Sequence, residues 1–172
     1  GRKVCVIDTL SAGPEVALIA EKLAELAVLG SDFEEAESKI REYLCHTHLA
    51  FSLESLRNFA NNGRVHPAVA KIAGLLGIRV IGRASEKGEL EVVGKARGPE
   101  RALADVLEEM RHGGYIGGRV RIHHCDNSDA AFKLEKRIKD EFPDANITVG
   151  ETRGLCSFYA EIGGLLVGYE GL

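Results

Sequence analysis

The chain is 172 residues long, 45% apolar and 28% charged, with a formal net charge of −4 at pH 7, which suits one ordinary globular domain or one small domain plus part of another. Mild acidity with scattered Lys and Arg leaves no basic stripe to neutralise phosphates, which argues against nucleic acid as the main partner. The apolar runs fall far short of a membrane span and no charged-apolar-small leader opens the sequence, so the expected location is cytoplasmic.

Val4-Cys5-Val6-Ile7 is apolar on both faces and predicts a strand over 3–8 inside a parallel sheet. Pro14 suits a first helical position and Glu15 a helix N-terminus, and Val16, Ile19, Leu23 and Leu26 then recur at helical spacing until Gly30. Ser31-Asp32-Phe33-Glu34 reads as a capping box opening a second helix, with Phe33, Ala36, Ile40 and Leu44 inward.

The texture changes at residue 48. A short strand (49–52), a short helix (53–60), a turn at Asn61-Asn62-Gly63 and a helix over 67–76 from Pro67 come next. Glu86-Lys87-Gly88 marks a hairpin between strands at 78–83 and 90–95. Pro99 opens a helix with Ala102, Leu103, Val106, Leu107 and Met110 inward, and "RVRIHHC" (119–125) is a strand. Ser128 stands as N-cap of a helix running to Phe142. Residues 146–150, 154–160 and 165–169 read as three closing strands. The fold class expected is an α/β remnant, one strand plus two helices over about 1–50, followed by an α+β domain over about 51–172 with a mixed or antiparallel sheet.

Cys5, Cys45, Cys125 and Cys156 show no C-x-x-C spacing and are read as reduced, apolar-type residues. The clusters "CHTH" (45–48) and "HHC" (123–125) hold zinc-competent side chains, yet His123 and His124 point to opposite faces of a strand and match no standard ligand spacing. No metal site is expected. Ser11-Ala12-Gly13 between strand and helix lacks a dinucleotide or Walker pattern and is explained as a helix start. With no nucleophile elbow and no oriented Cys–His pair, no catalytic residue is assigned and no enzyme is expected.

Four stretches stand in order: "VIDTLSAGPEVALIAEKLAELAVLGSDFEEAESKI", "FSLESLRNFANNGRV", "AVAKIAGLLGIRVIGRASEKGELEVVGKARGPERAL" and "IHHCDNSDAAFKLEKRI". Together they resemble the DegV family of bacterial fatty-acid-binding proteins, over nearly all of this chain and only the later part of a family member. Asn62 replaces the first Gly of the family's Gly-Gly-Arg turn, Arg79 stands near a usual Lys and Val80 in place of a Pro. The resemblance implies a larger Rossmann-like first domain whose early strands carry the Thr and Ser turns that hold a fatty-acid carboxylate. Residues 1–50 are then the C-terminal remnant of that domain, its N-terminal part missing, and 51–172 the DegV-like second domain. The strand at 3–8 would lack its neighbours, and a homodimer through the incomplete sheet is the expected consequence.

Register by the last strand places Tyr159 on the family's headgroup His, Glu161 and Ile162 on its Gly-Pro, and Gly163 on its last Gly. A Tyr donates one hydrogen bond but carries no charge at neutral pH. Tyr159 is thus a headgroup contact or a half-buried strand aromatic, and Gly163-Gly164 a close approach to ligand or a tight turn. Arg64, on the family's Gly-Gly-Arg, supports the ligand cleft or is a solvated turn residue; Arg97 faces a partner protein or solvent. The implied function is a carrier of a long-chain fatty acid, presenting its carboxylate to a fatty acid kinase catalytic subunit, with no cofactor beyond the acyl ligand. The alternative is a diverged or truncated assembly module that has lost lipid binding.

Overall fold

A computed structural model describes residues 3–73 and 75–172. Its elements, in chain order, are α1 (Pro14–Val28), α2 (Phe33–Leu44), β1 (Thr47–Leu53), α3 (Arg57–Asn61), α4 (Pro67–Ala73), β2 (Ile78–Ala84), β3 (Leu90–Arg97), α5 (Pro99–His112), β4 (Arg119–His124), α6 (Ser128–Glu141), β5 (Asn146–Glu151), α7 (Gly154–Ala160) and β6 (Leu165–Glu170). The strands form one mixed six-stranded sheet in the order β3-β2-β1-β6-β4-β5. Among the described strands only β4 and β5 pair in parallel, and α6 supplies the crossover that a parallel connection requires. The α/β fold with a mixed sheet is what the sequence pattern led us to expect.

Side-chain alternation divides the sheet into two faces. On one, Ala50, Ile81, Val120, Ile122, Leu165, Val167 and Tyr169 pack against Leu103, Val106 and Met110 of α5 and Leu134 and Ile138 of α6. On the other, Phe51, Leu53, Val80 and Leu166 form a second core with Leu56, Phe59 and Ala160. Strand β6 sits between β1 and β4 and is packed on both faces. Leu165, Val167 and Tyr169 pack against the α5–α6 core and Leu166 and Gly168 against the second core and α1, which accounts for its unbroken apolar run.

Helix α1 lies over β6 and β4 on the second face. Its approach depends on Gly168, where a Cβ would press on the backbone of Pro14 and Glu15. Leu18 is fully buried there, and a polar seam flanks it. Arg121 donates to Glu21 (Nε–Oε1 2.8 Å), and Arg119 pairs with Glu25 at 2.7 Å. Helix α2 packs on the outer side of α1, where Ile19, Leu26 and Ile40 form a third small cluster.

Several expectations need correction. Residues 3–8, expected as an interior strand, lie outside the sheet. Ile7 packs against the α1–α2 cluster, whereas Val4 and Val6 are each 85% exposed. No described strand adjoins the segment, so one face is covered by helices and the ladder has nothing to pair with. Residues 154–160, expected as a strand, form α7. Cys156 and Tyr159 share its inner side, while Leu155 and Phe158 are 68% and 47% exposed; seven residues are too few for a helical period to stand out from the sequence. Strand β1 runs to Leu53, so the helix expected over 53–60 shrinks to α3. The helix expected over 67–76 is helical through Ala73, and residue 74 lies outside the described residues. Asp32, not Ser31, caps α2 by accepting from the Glu35 amide. Helix α6 begins at Ser128 itself, and the Asn127 amide side chain donates instead to the Gly163 carbonyl. Val16 and Leu23 of the α1 stripe are 36% and 47% exposed. All four cysteines are free thiols: Cys45 is exposed and the other three half-buried.

Candidate functional site

Leu49, Phe51 and Leu53 alternate along β1 and present their side chains to the second face, which is why they share one core with Leu166 and Leu90. Above them a cleft of about 300 Å³ opens. One wall is α7, through Leu155, Cys156, Tyr159 and Ala160; Phe59 of α3 and Arg64 close one end; Leu10, Ser11 and Ala12 overhang it. Apolar side chains dominate, with Ser11, Arg64, Arg83 and Glu89 as the polar minority. That balance suits a ligand with a long apolar body.

The overhanging turn is held by specific contacts. Leu10 adopts a positive φ of 50°, rare for a branched side chain, and its amide donates to Asp8 Oδ1 at 3.1 Å. A Cβ at Gly88, on the β2–β3 hairpin, would stand 3.1 Å from the Leu10 carbonyl oxygen, so turn and hairpin meet over the cleft. Behind the turn, Glu15 is 5% exposed. It accepts hydrogen bonds from Ser11 Oγ and from Thr47 Oγ1, the latter at 2.9 Å. Burial pushes the Glu15 carboxyl above its ordinary range, and these two donors hold it back in part. Burial likewise raises the Cys156 thiol, opposed by the Gly13 amide.

At the other end, the Arg64 guanidinium lies 5.2 Å from the centre of the Tyr159 ring, which also stacks at 4.7 Å on Phe59. Arg64 makes no ion pair among the described residues. A cation held on an aromatic face and lacking a carboxylate can receive an anionic headgroup. Tyr159 stands half-buried on a helix.

The structure brings Tyr159 and Arg64 together but sets the other sequence candidates elsewhere. Ile162 is 73% exposed in the turn after α7. Gly163, at φ 90°, faces the Glu54 side chain, and its amide donates to the Cys125 carbonyl at 2.9 Å. The Gly164 carbonyl accepts from the Cys125 amide, and a Cβ on Gly164 would overlap Ala160. None of these three lines the cleft; they fasten α7 to the end of β4. Arg97 is exposed at the end of β3. His123 is half-buried and lowered by burial, His124 is buried, and among the described residues no group of three or more metal-type ligands gathers. Sequence reading passed over Leu10, Phe51, Phe59, Leu90 and Leu155 as lining residues, although the alternation of "LAFSL" marks Leu49, Phe51 and Leu53 as one face.

Comparison with known proteins matches residues 1–170 to a family model described as an uncharacterised protein, DegV family. A DegV domain-containing protein of Streptococcus pyogenes serotype M1 is 47% identical over 165 residues, 96% of this chain and 59% of that protein. A DegV domain-containing protein of Streptococcus pneumoniae R6 is 45% identical over 168 residues, 98% of this chain and 60% of that protein. The chain thus spans about three-fifths of the length of these curated relatives. Among solved structures, a DegV family protein from Eubacterium eligens loaded with heptadecanoic acid superposes with a TM-score of 0.96 at 42% identity, over 99% of this chain and 62% of that one. The Fatty Acid Kinase (Fak) B3 protein of Streptococcus pneumoniae, loaded with linoleic acid, gives 0.95 at 45% identity, over 98% and 60%.

Proposed function

The chain belongs to the DegV family, and we propose that it holds the tail of a long-chain fatty acid in the apolar cleft over β1. The observation that carries this reading is the cleft itself: an alternating aliphatic and aromatic floor, with a stacked, carboxylate-free Arg64 at one end. Each methylene removed from water contributes about 0.8 kcal/mol, so the tail supplies most of the affinity. Arg64 and the Tyr159 hydroxyl face the carboxylate, with Tyr159 replacing an imidazole and so giving a neutral bond in place of a charged one. The acyl ligands of the E. eligens and S. pneumoniae proteins support the ligand class.

In this reading the protein is a cytoplasmic carrier that catalyses nothing and offers the carboxylate to a fatty acid kinase subunit, with exposed Arg97 facing that partner. No helix among the described residues is long and apolar enough to cross a membrane. Residues 1–50 are the end of a Rossmann-like first lobe, 51–172 the second domain, and the lobe's earlier strands would cover Val4 and Val6. Ile162, Gly163 and Gly164 act on the site indirectly, by fixing α7. Native mass spectrometry of the chain purified from a bacterial host should show a bound acyl chain, and palmitate or oleate should raise the Tm. An empty protein with no thermal shift for either acid overturns the proposal. A second reading, an assembly module that pairs through residues 3–8 and binds no lipid, is favoured by one observation, the 85% exposure of both Val4 and Val6.

A further inference from the structure

We infer that Phe51, folded flat onto Gly82, sets the width of the acyl chain that the cleft accepts; this rests on the fatty-acid reading above. Phe51 and Gly82 are direct cross-strand partners on β1 and β2, and their side-chain positions share one face. A Cβ placed on Gly82 would overlap the far edge of the Phe51 ring, at Cζ and Cε2. In a strand pair the opposing Cβ atoms stand about 4.5–5.5 Å apart, so a ring whose tip occupies the partner's Cβ site has leaned over instead of standing up from the sheet. The ring is therefore the bottom of the cleft, only 3% exposed, in a floor otherwise made of smaller aliphatic side chains.

Gly82 is fixed from a second direction as well. The pairing of β2 with β3 shifts register between Ile81 and Gly82, and the Glu91 carbonyl oxygen falls where a Gly82 Cβ would point. The position thus takes no side chain, and the ring has room to lie down. An upright ring would fill the cleft; a missing ring would deepen it beneath the middle of the bound chain. Straight saturated chains need little depth, whereas a cis double bond or a methyl branch widens the chain locally. The floor pair discriminates on that width.

The test compares the unchanged protein with Phe51→Ala and Phe51→Leu, using displacement of a fluorescent acyl probe by palmitate, oleate and an iso-branched acid of palmitate's carbon count. Phe51→Ala should shift the affinity ratio toward the branched and cis-unsaturated acids on the order of tenfold, the worth of one methylene in a shaped apolar pocket. Phe51→Leu, a smaller volume change, should move it in the same direction and serves where the alanine variant fails to fold. Gly82→Ala also presses on the Glu91 carbonyl, so it is not the deciding variant. Folded Phe51 variants that keep the original ratios overturn the inference while leaving the carrier reading intact. An unchanged protein that binds none of the three acids overturns both.

Discussion

Glu161 closes α7 at φ 54° and ψ 174°, a region that is essentially glycine's alone and costs another residue about 1–3 kcal/mol. The resemblance to DegV proteins would place a Gly here, the residue that takes this conformation without strain. The carboxylate gives something back. Glu161 Oε1 accepts from the Asn58 amide at 3.1 Å, and Asn58 Nδ2 donates to the Phe158 carbonyl at 2.7 Å, which ties α3 to α7 behind Phe59 and Tyr159. Glu161→Ala and Glu161→Gly both lose that carboxylate, but only glycine relaxes the backbone. Urea unfolding should find the glycine variant more stable than the alanine variant by about 1–3 kcal/mol; equal midpoints would remove the strain from the account. Arg64 is tested at the same scale. Arg64→Ala should weaken a fatty acid by about fivefold, roughly 1 kcal/mol for an exposed charged bond, and leave the corresponding fatty alcohol unchanged; equal losses for both would assign Arg64 to packing. For Glu15, burial raises the folded carboxyl above its unfolded value. Its protonated form therefore favours the fold below the ordinary Glu range, and that contribution is lost as pH rises through the raised value. Measured against Glu15→Gln, the unchanged protein should gain in relative Tm as pH falls from neutral toward that range, and a constant difference would count against the burial argument.

Among the elements, α1 shows what a periodic pattern conveys and what it leaves out. Its existence, its Pro14 start and the inward Ile19 and Leu26 were legible, as were α5, α6 and the central strands. The Glu21–Arg121 pair was not, because the partners are a hundred residues apart and only the sheet brings them together. Nor was α7, a helix of seven residues, too short for a stripe to declare itself. The seam on α1 yields a prediction of its own. Arg121 is 7% exposed and also donates to the carbonyls of Val120 and Asn146. Glu21→Ala removes its carboxylate and leaves a buried charge with neutral acceptors only. Because Glu21 is partly exposed, the cost should be about 2 kcal/mol, below the loss seen for fully buried pairs, or about 4–8 °C in Tm. The hydrogen bond from Arg121 holds the Glu21 carboxyl below its ordinary range. Its stabilising effect is therefore present above the unfolded value and lost as pH falls through the lowered one. A Glu21→Ala variant with an unchanged Tm would place the hold on α1 elsewhere, in Leu18 and Gly168.

At the scale of the molecule, the cleft draws on the turn at 10–12, on β1, on 59 and 64, on the β2–β3 hairpin and on α7. Such a site is assembled by topology and is invisible to any local window; the sequence marked Tyr159 and Arg64 only through the family resemblance. The same topology leaves residues 3–8 beside the helices and outside the sheet, with Val4 and Val6 facing water. Among the described residues this segment joins no ladder, and its apolar outer face invites a strand from another chain. Hydrogen exchange at several protein concentrations separates the outcomes. In dilute solution the amides of 3–8 should exchange at nearly the rate of an open chain, while those of β6, paired on both edges, exchange slowest. If copies pair through this segment, its amides gain protection as concentration rises, and Val4→Lys with Val6→Lys abolishes the gain without touching β6. Fast exchange at every concentration would leave the segment unpaired among copies of this chain and remove the basis for an assembly role.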